Sequence, residues 1–145
     1  MRTTQLSLFK DDKAAASLAS AMQLVRAAMN RVANQGGASR DHIADEMSEL
    51  AMTAGVSLVK GRAKRISKDT LDKWLTPSDR EHIPSLLAVL AFCQVTDDIS
   101  PLKPILEAVG CEVMTPEDRQ LRNYAQAILE EKEARKRKRQ LEAGL

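Results

Sequence analysis

Apolar residues recur at intervals of three and four along most of this chain, the spacing that lines one face of an α-helix. Leu18, Met22, Val25, Met29 and Val32 predict a first helix from about Lys13 to Asn34. Asp11 or Asp12 would cap its start and Gly36-Gly37 would end it. Ser39 then opens a second helix with Ile43, Met47, Leu50 and Ala54 on its inner face, and Gly55 would stop it in the left-handed conformation. From Val56 to Arg65 the periodicity lapses. It resumes after Ser67, a good N-cap, with Asp69 in the first turn and Ile66 placed to meet Leu71 as a hydrophobic staple. This third helix should end near Leu75, turning Leu71, Trp74 and Leu75 inward and Lys68, Asp69, Thr70, Asp72 and Lys73 outward.

Prolines punctuate the second half. Pro77 breaks the chain, and Pro84 is expected to open a helix at its first position, where the missing N–H costs nothing. Leu86, Leu87, Val89, Leu90 and Phe92 make that helix apolar on most sides, so it should be the central one. Ser100-Pro101 repeats the start signal for a helix facing inward through Leu102, Ile105, Leu106 and Val109 and stopping at Gly110. Thr115-Pro116 repeats it again for a last helix carrying Leu121, Ala125, Ile128 and Leu129. Beyond Glu130 the apolar pattern is lost, which predicts a solvated, fraying helix or tail. Only 3% of the residues are aromatic, and 6 glycines and 5 prolines are too few for the turns of a sandwich or barrel. The reading is an all-α small helical bundle of 145 residues: a flexible N-terminal segment over 1–12, a helical domain over 13–115 and a charged C-terminal helix or tail over 116–145.

The net charge of +2 is uninformative until it is divided along the chain. Residues 57–75 hold six basic and two acidic side chains, and residues 119–145 hold eight and four. The segments that flank the first of these blocks are acidic, so basic charge is gathered where an anion could be met. The two cysteines, Cys93 and Cys111, and the lack of an apolar leader fit a reducing, cytoplasmic setting without disulfides. No run is apolar enough to span a membrane, since Ile83 to Cys93 is interrupted by Pro84 and Ser85. Signatures of catalysis are missing: no phosphate-cradling glycine loop, no nucleophile elbow and no zinc-ligand spacing. His42, His82, Cys93 and Cys111 would form a metal site only if the fold brought them together, so neither an enzyme nor a metal or cofactor is expected.

Helix, helix, basic connection and short capped helix is the order a helix-turn-helix DNA reader requires, with an enlarged turn: eleven residues lie between Gly55 and Ser67. On that reading Lys60, Arg62, Lys64 and Arg65 meet phosphates or a groove. Ser67, Lys68, Thr70 and Lys73 lie near base edges, and Trp74 anchors the reader to the core. The alternative is a solvated loop beside a structural helix. The stretch from Ser67 to Cys111, with Thr70-Leu71-Asp72-Lys73-Trp74-Leu75-Thr76-Pro77, then His82-Ile83-Pro84, Leu86, Leu90, Thr96-Asp97-Asp98 and Leu102 to Gly110-Cys111, resembles the cII-type transcription regulators of temperate bacteriophages. The resemblance covers about a third of the chain and implies a recognition helix, a loop and two further helices of a repressor-like domain. The enlarged basic turn and the charged C-terminal helix depart from that pattern.

Two further segments carry readings of their own. Gln5-Leu6-Ser7-Leu8-Phe9 resembles the pentapeptide by which bacterial replication and repair proteins hook the sliding clamp, which implies Gln5, Leu6, Leu8 and Phe9 as partner-binding residues. Packing of the same residues on the bundle as a strap is the alternative. Arg135-Lys136-Arg137-Lys138-Arg139 follows Glu130, Glu131 and Glu133 at helical spacing, consistent with a solvated helix or with nonspecific phosphate contact. The sequence thus points to a phage- or prophage-type regulator that binds double-stranded DNA and could form a homo-oligomer. A clamp-tethered replication or repair accessory and a structural protein–protein adaptor are the alternatives.

Overall fold

The computed structural model describes residues 2–61 and 63–145, with the side chains of residues 2–11 outside that description. The described chain is all-α: α1 (Arg2–Gln35), α2 (Arg40–Ala54), α3 (Lys68–Leu75), α4 (Leu86–Thr96), a 3-10 turn (Ser100–Leu102), α5 (Lys103–Ala108) and α6 (Pro116–Ala143), with no strand among the described residues. It divides into two compact units, Met1–Glu112 and Val113–Leu145.

In the first unit, α1 packs against α3, α4, α5 and the 3-10 turn, while α2 packs against α3 and α4. The core is built from Val25, Met29, Met47, Leu71, Trp74 and Phe92, with Leu58 and Ile66 contributed by the chain between α2 and α3. At roughly 25 cal/mol per Å2 of apolar surface removed from water, each such side chain contributes about 1.5 to 3 kcal/mol. The inner stripe of α1 is shorter than its periodicity suggests, because Leu18 is 75% exposed and the buried part begins at Val25. The helix also starts at Arg2 rather than near Lys13. No glycine or proline interrupts residues 2–35, so nothing in the backbone stops it at Asp11 or Asp12. Over residues 2–12, where the sequence predicts a flexible segment, the backbone is helical.

Ser39 caps α2 by accepting from His42 N at 3.2 Å, and Gly55 ends it at φ 69°. Its inner face is Ile43, Ala44, Met47, Ser48 and Ala51, one residue around from the anticipated stripe; Ala54 is exposed and Leu50 half-buried. Ser85, not Pro84, caps α4, accepting from Ala88 N at 3.1 Å, so Pro84 stands outside the helix. Nor is α4 buried all round. Ala88, Val89, Ala91, Phe92 and Cys93 face the core, whereas Leu86, Leu87 and Leu90 remain exposed. The Ser100-Pro101 signal yields a 3-10 turn before α5 rather than one continuous helix, with Pro104 in the first turn of α5. Val109 is exposed, and Gly110 closes the segment at φ 76°.

The second unit is a single helix. Thr115 accepts from Asp118 N at 3.2 Å and the Asp118 carboxylate accepts from Thr115 N at 3.0 Å, a capping box that satisfies two of the unpaired donors at the helix start. From there α6 runs 28 residues to Ala143, through the charged run that was expected to fray. Ion pairs at i,i+4 support it: Arg135 with Glu131 at 2.6 Å and Lys138 with Glu142 at 3.9 Å.

Candidate nucleic-acid interface

Eight residues make an unstable helix in isolation, so α3 needs its surroundings. At its start, Ser67 Oγ accepts from Thr70 N at 3.2 Å, and Ile66 and Leu71 are both buried, as the staple requires. One residue earlier, Ile66 N donates to Ser48 Oγ at 3.0 Å, and the buried Ser48 hydroxyl donates to Ala44 O at 2.8 Å. The start of α3 is therefore tied to α2.

Its other end is held by Arg26 of α1, a buried arginine inside the apolar stripe. Arg26 Nε donates to Trp74 O at 2.8 Å and Nη2 to Lys73 O at 2.7 Å, carbonyls in the last turn of α3. The same guanidinium donates to Asp79 O at 2.5 Å and to His82 O at 3.2 Å, gathering the loop after α3 onto one cation. A cation at a helix C-terminus is favoured by the macrodipole as well as by these bonds. Burial lowers the Arg26 pKa from its ordinary value and the nearby Asp79 charge opposes that shift. Asp79 is itself held below the usual carboxylate range, chiefly by the His82 backbone N–H, with help from the His82 side chain and Glu81 N–H.

A third tie lies on the flank of α3. Arg40 at the start of α2 donates to Asp72 Oδ1 at 2.7 Å, and to the side-chain oxygens of Asn30 and Asn34 on α1 at 2.9 and 3.0 Å. One guanidinium thus joins α1, α2 and α3, and what α3 turns outward is Lys68, Asp69 and Lys73, with Thr70 half-buried. Trp74, Leu71 and Leu75 are buried, as their spacing predicts. The Ser67 hydroxyl is occupied by capping and shares a hydrogen bond of 3.2 Å with Thr70 Oγ1, so the two exposed lysines are freer for an incoming ligand than either hydroxyl.

Among its described residues the connection from 56 to 67 has no regular structure, yet it is pegged at both ends, by buried Leu58 and buried Ile66. Ser85 Oγ donates to Leu58 O at 3.3 Å, and Gly61 turns the tip at φ 105°, a conformation that favours glycine. Lys60 and Lys64 project from it, exposed and without an ion pair among the described residues. Arg65 is different: its Nη1 donates to Glu49 Oε1 at 2.9 Å, which partly neutralises it. Arg62 lies outside the described residues, as do the side chains of Gln5, Leu6, Leu8 and Phe9, whose backbone belongs to α1.

Sequence reasoning missed Arg26, Ser48 and Arg40. A charge at position 26, between Val25 and Met29 on the inner face, is the signal that could have exposed the first of them. The histidines and cysteines do not converge: His42 pairs with Glu46 at 2.8 Å, His82 with Asp79 at 3.1 Å, Cys93 is buried and Cys111 exposed. Burial pushes the Cys93 thiol up to about 11, which makes it unreactive at neutral pH. No group of three or more potential metal ligands occurs among the described residues, and no described helix is long and apolar enough to cross a membrane. Comparison with protein-family models, with curated proteins and with solved structures finds no match for the chain.

Proposed function

We propose that this chain binds double-stranded DNA through α3 and the basic connection before it, acting as a phage- or prophage-type transcriptional regulator. The observation that carries this reading is the fixing of α3 by Ser48, Arg26 and Arg40, with Lys68, Thr70 and Lys73 turned away from the core. A short helix locked at both ends is a rigid probe, and rigidity reduces the ordering cost of docking in a groove. Lys60 and Lys64, on the pegged connection, would meet phosphates on either side and set the register, while the first turn of α3 reaches base edges. Asp69 opposes this face electrostatically. In such an interface it accepts from a cytosine amino group or limits affinity, and Asp69→Asn separates the two outcomes by changing either sequence preference or overall strength.

Recovering and sequencing DNA fragments bound to the protein in cells tests the proposal. A shared short sequence motif among the fragments, lost with Thr70→Ala and Lys73→Ala, supports it. Recovery no greater than that of a protein with the same net charge, with no shared motif, removes it.

A further inference from the structure

The face of α6 is unusual in what it places in a line. Leu121, Tyr124, Ala125, Ile128 and Leu129 follow one another at helical spacing along one side, and the four large ones among them are all exposed. Extending that stripe by the same spacing toward the start reaches Glu117 and Asp118, the latter engaged in the capping box. Extending it toward the end reaches Lys132, Arg135, Lys136 and Arg139. One side of the helix is therefore acidic at its beginning, apolar in its middle and basic at its end.

Such a face is complementary to itself in one orientation only. Two copies laid parallel would set each basic end against the other, which is repulsive. Laid antiparallel about Gln126, they set Tyr124 against Ile128 and Glu117 against Arg135, and symmetry makes each pairing twice. Arg135 already donates to Glu131 of its own helix at 2.6 Å, but a guanidinium has five donors and can serve a second carboxylate. We propose that α6 is a self-pairing helix, joining two copies of this chain as an antiparallel two-helix contact. The apolar middle supplies the attraction, and the charged ends choose antiparallel over parallel. Arg137 and Lys138 lie off the shared face and stay available to solvent. This pairing stands on α6 alone and does not depend on the DNA-binding reading.

Sedimentation equilibrium of the full chain tests it, with charge reversal as the diagnostic. The parent should be a monomer–dimer equilibrium in the micromolar range, as suits a small two-helix contact. Glu117→Lys alone and Arg135→Glu alone should each weaken the dimer by about tenfold or more, and the two together should restore it. Loss of helix start through Glu117→Lys would not be repaired by Arg135→Glu, so rescue distinguishes pairing from damage. In a Cys111→Ser background, Ala125→Cys, near the symmetry axis, should cross-link readily and Ala143→Cys should not. A monomer at every concentration, a dimer indifferent to both reversals, or cross-linking through Ala143→Cys overturns the proposal.

Discussion

Two helices with charged outer faces, α3 and α6, are stabilised in opposite ways. The shorter, of 8 residues, has Leu71 and Trp74 in the core, a cation from α1 on its last carbonyls and an anchoring bond from α2. The longer, of 28 residues, draws on local sources: a capping box, i,i+4 ion pairs and a composition rich in good helix formers. Tertiary contacts specify where α3 points, which is what the proposed DNA-reading role needs. Local contacts make α6 a helix without saying what it faces, and that is why its exposed stripe invites a partner.

Changes to the anchors of α3 should have the largest effects. Trp74→Ala, removing a side chain 4% exposed, should cost about 3 to 5 kcal/mol, measured by urea unfolding of the full chain. That is comparable with the whole stability of a domain this size. Arg26→Met keeps much of the volume but strips the donors from four carbonyls; at about 1 kcal/mol for each acceptor left unpaired, a loss of about 4 kcal/mol is expected. An unchanged unfolding midpoint in either variant would mean that α3 is not held as described.

Ala134→Gly, in the exposed middle of α6, should lose about 1 kcal/mol of helix propensity and leave the unfolding midpoint of the first unit where it was. Circular dichroism should report a drop in helix content without a shift of the cooperative transition. Acid should act more gently, through Asp79 and Asp98. Both are held below the ordinary carboxylate value, Asp79 chiefly by the His82 backbone N–H and Asp98 chiefly by the Ser100 hydroxyl. A depressed folded-state pKa gives stability that is full above the unfolded value, near 4, and is lost as pH falls through the lowered one. The urea midpoint should therefore hold from pH 7 to about 5 and decline below about 4, and Asp79→Asn should flatten that decline.

What is legible in the chain, and what is not, follows the same division. Ser67, Gly55 and Thr115 act through residues within a few positions of themselves, and each behaves as its local chemistry dictates. Spacing alone is enough to turn Leu71, Trp74 and Leu75 inward. Arg26, by contrast, meets carbonyls about fifty positions away, and no local pattern encodes that distance. The leucines of α4 mislead for a related reason: an all-apolar helix suggests burial on every side, but which side the bundle covers depends on where α2 and α1 lie. On α6 the pattern ends at Glu130 while the helix does not, because ion pairs and propensity continue where apolar periodicity stops.

The salt dependence of DNA affinity tests the central claim most directly, because its slope reports how many phosphates the named lysines neutralise. Binding of the parent to a duplex, followed by fluorescence anisotropy from low to moderate salt, should weaken steeply. Replacing Lys60 and Lys64 by Ala should flatten the slope by up to about 1.8, at roughly 0.9 for each phosphate no longer neutralised, while Arg65→Ala should change it little because Glu49 already engages that side chain. A folded double variant with the slope of the parent would contradict the account and put any DNA-binding surface elsewhere on the molecule.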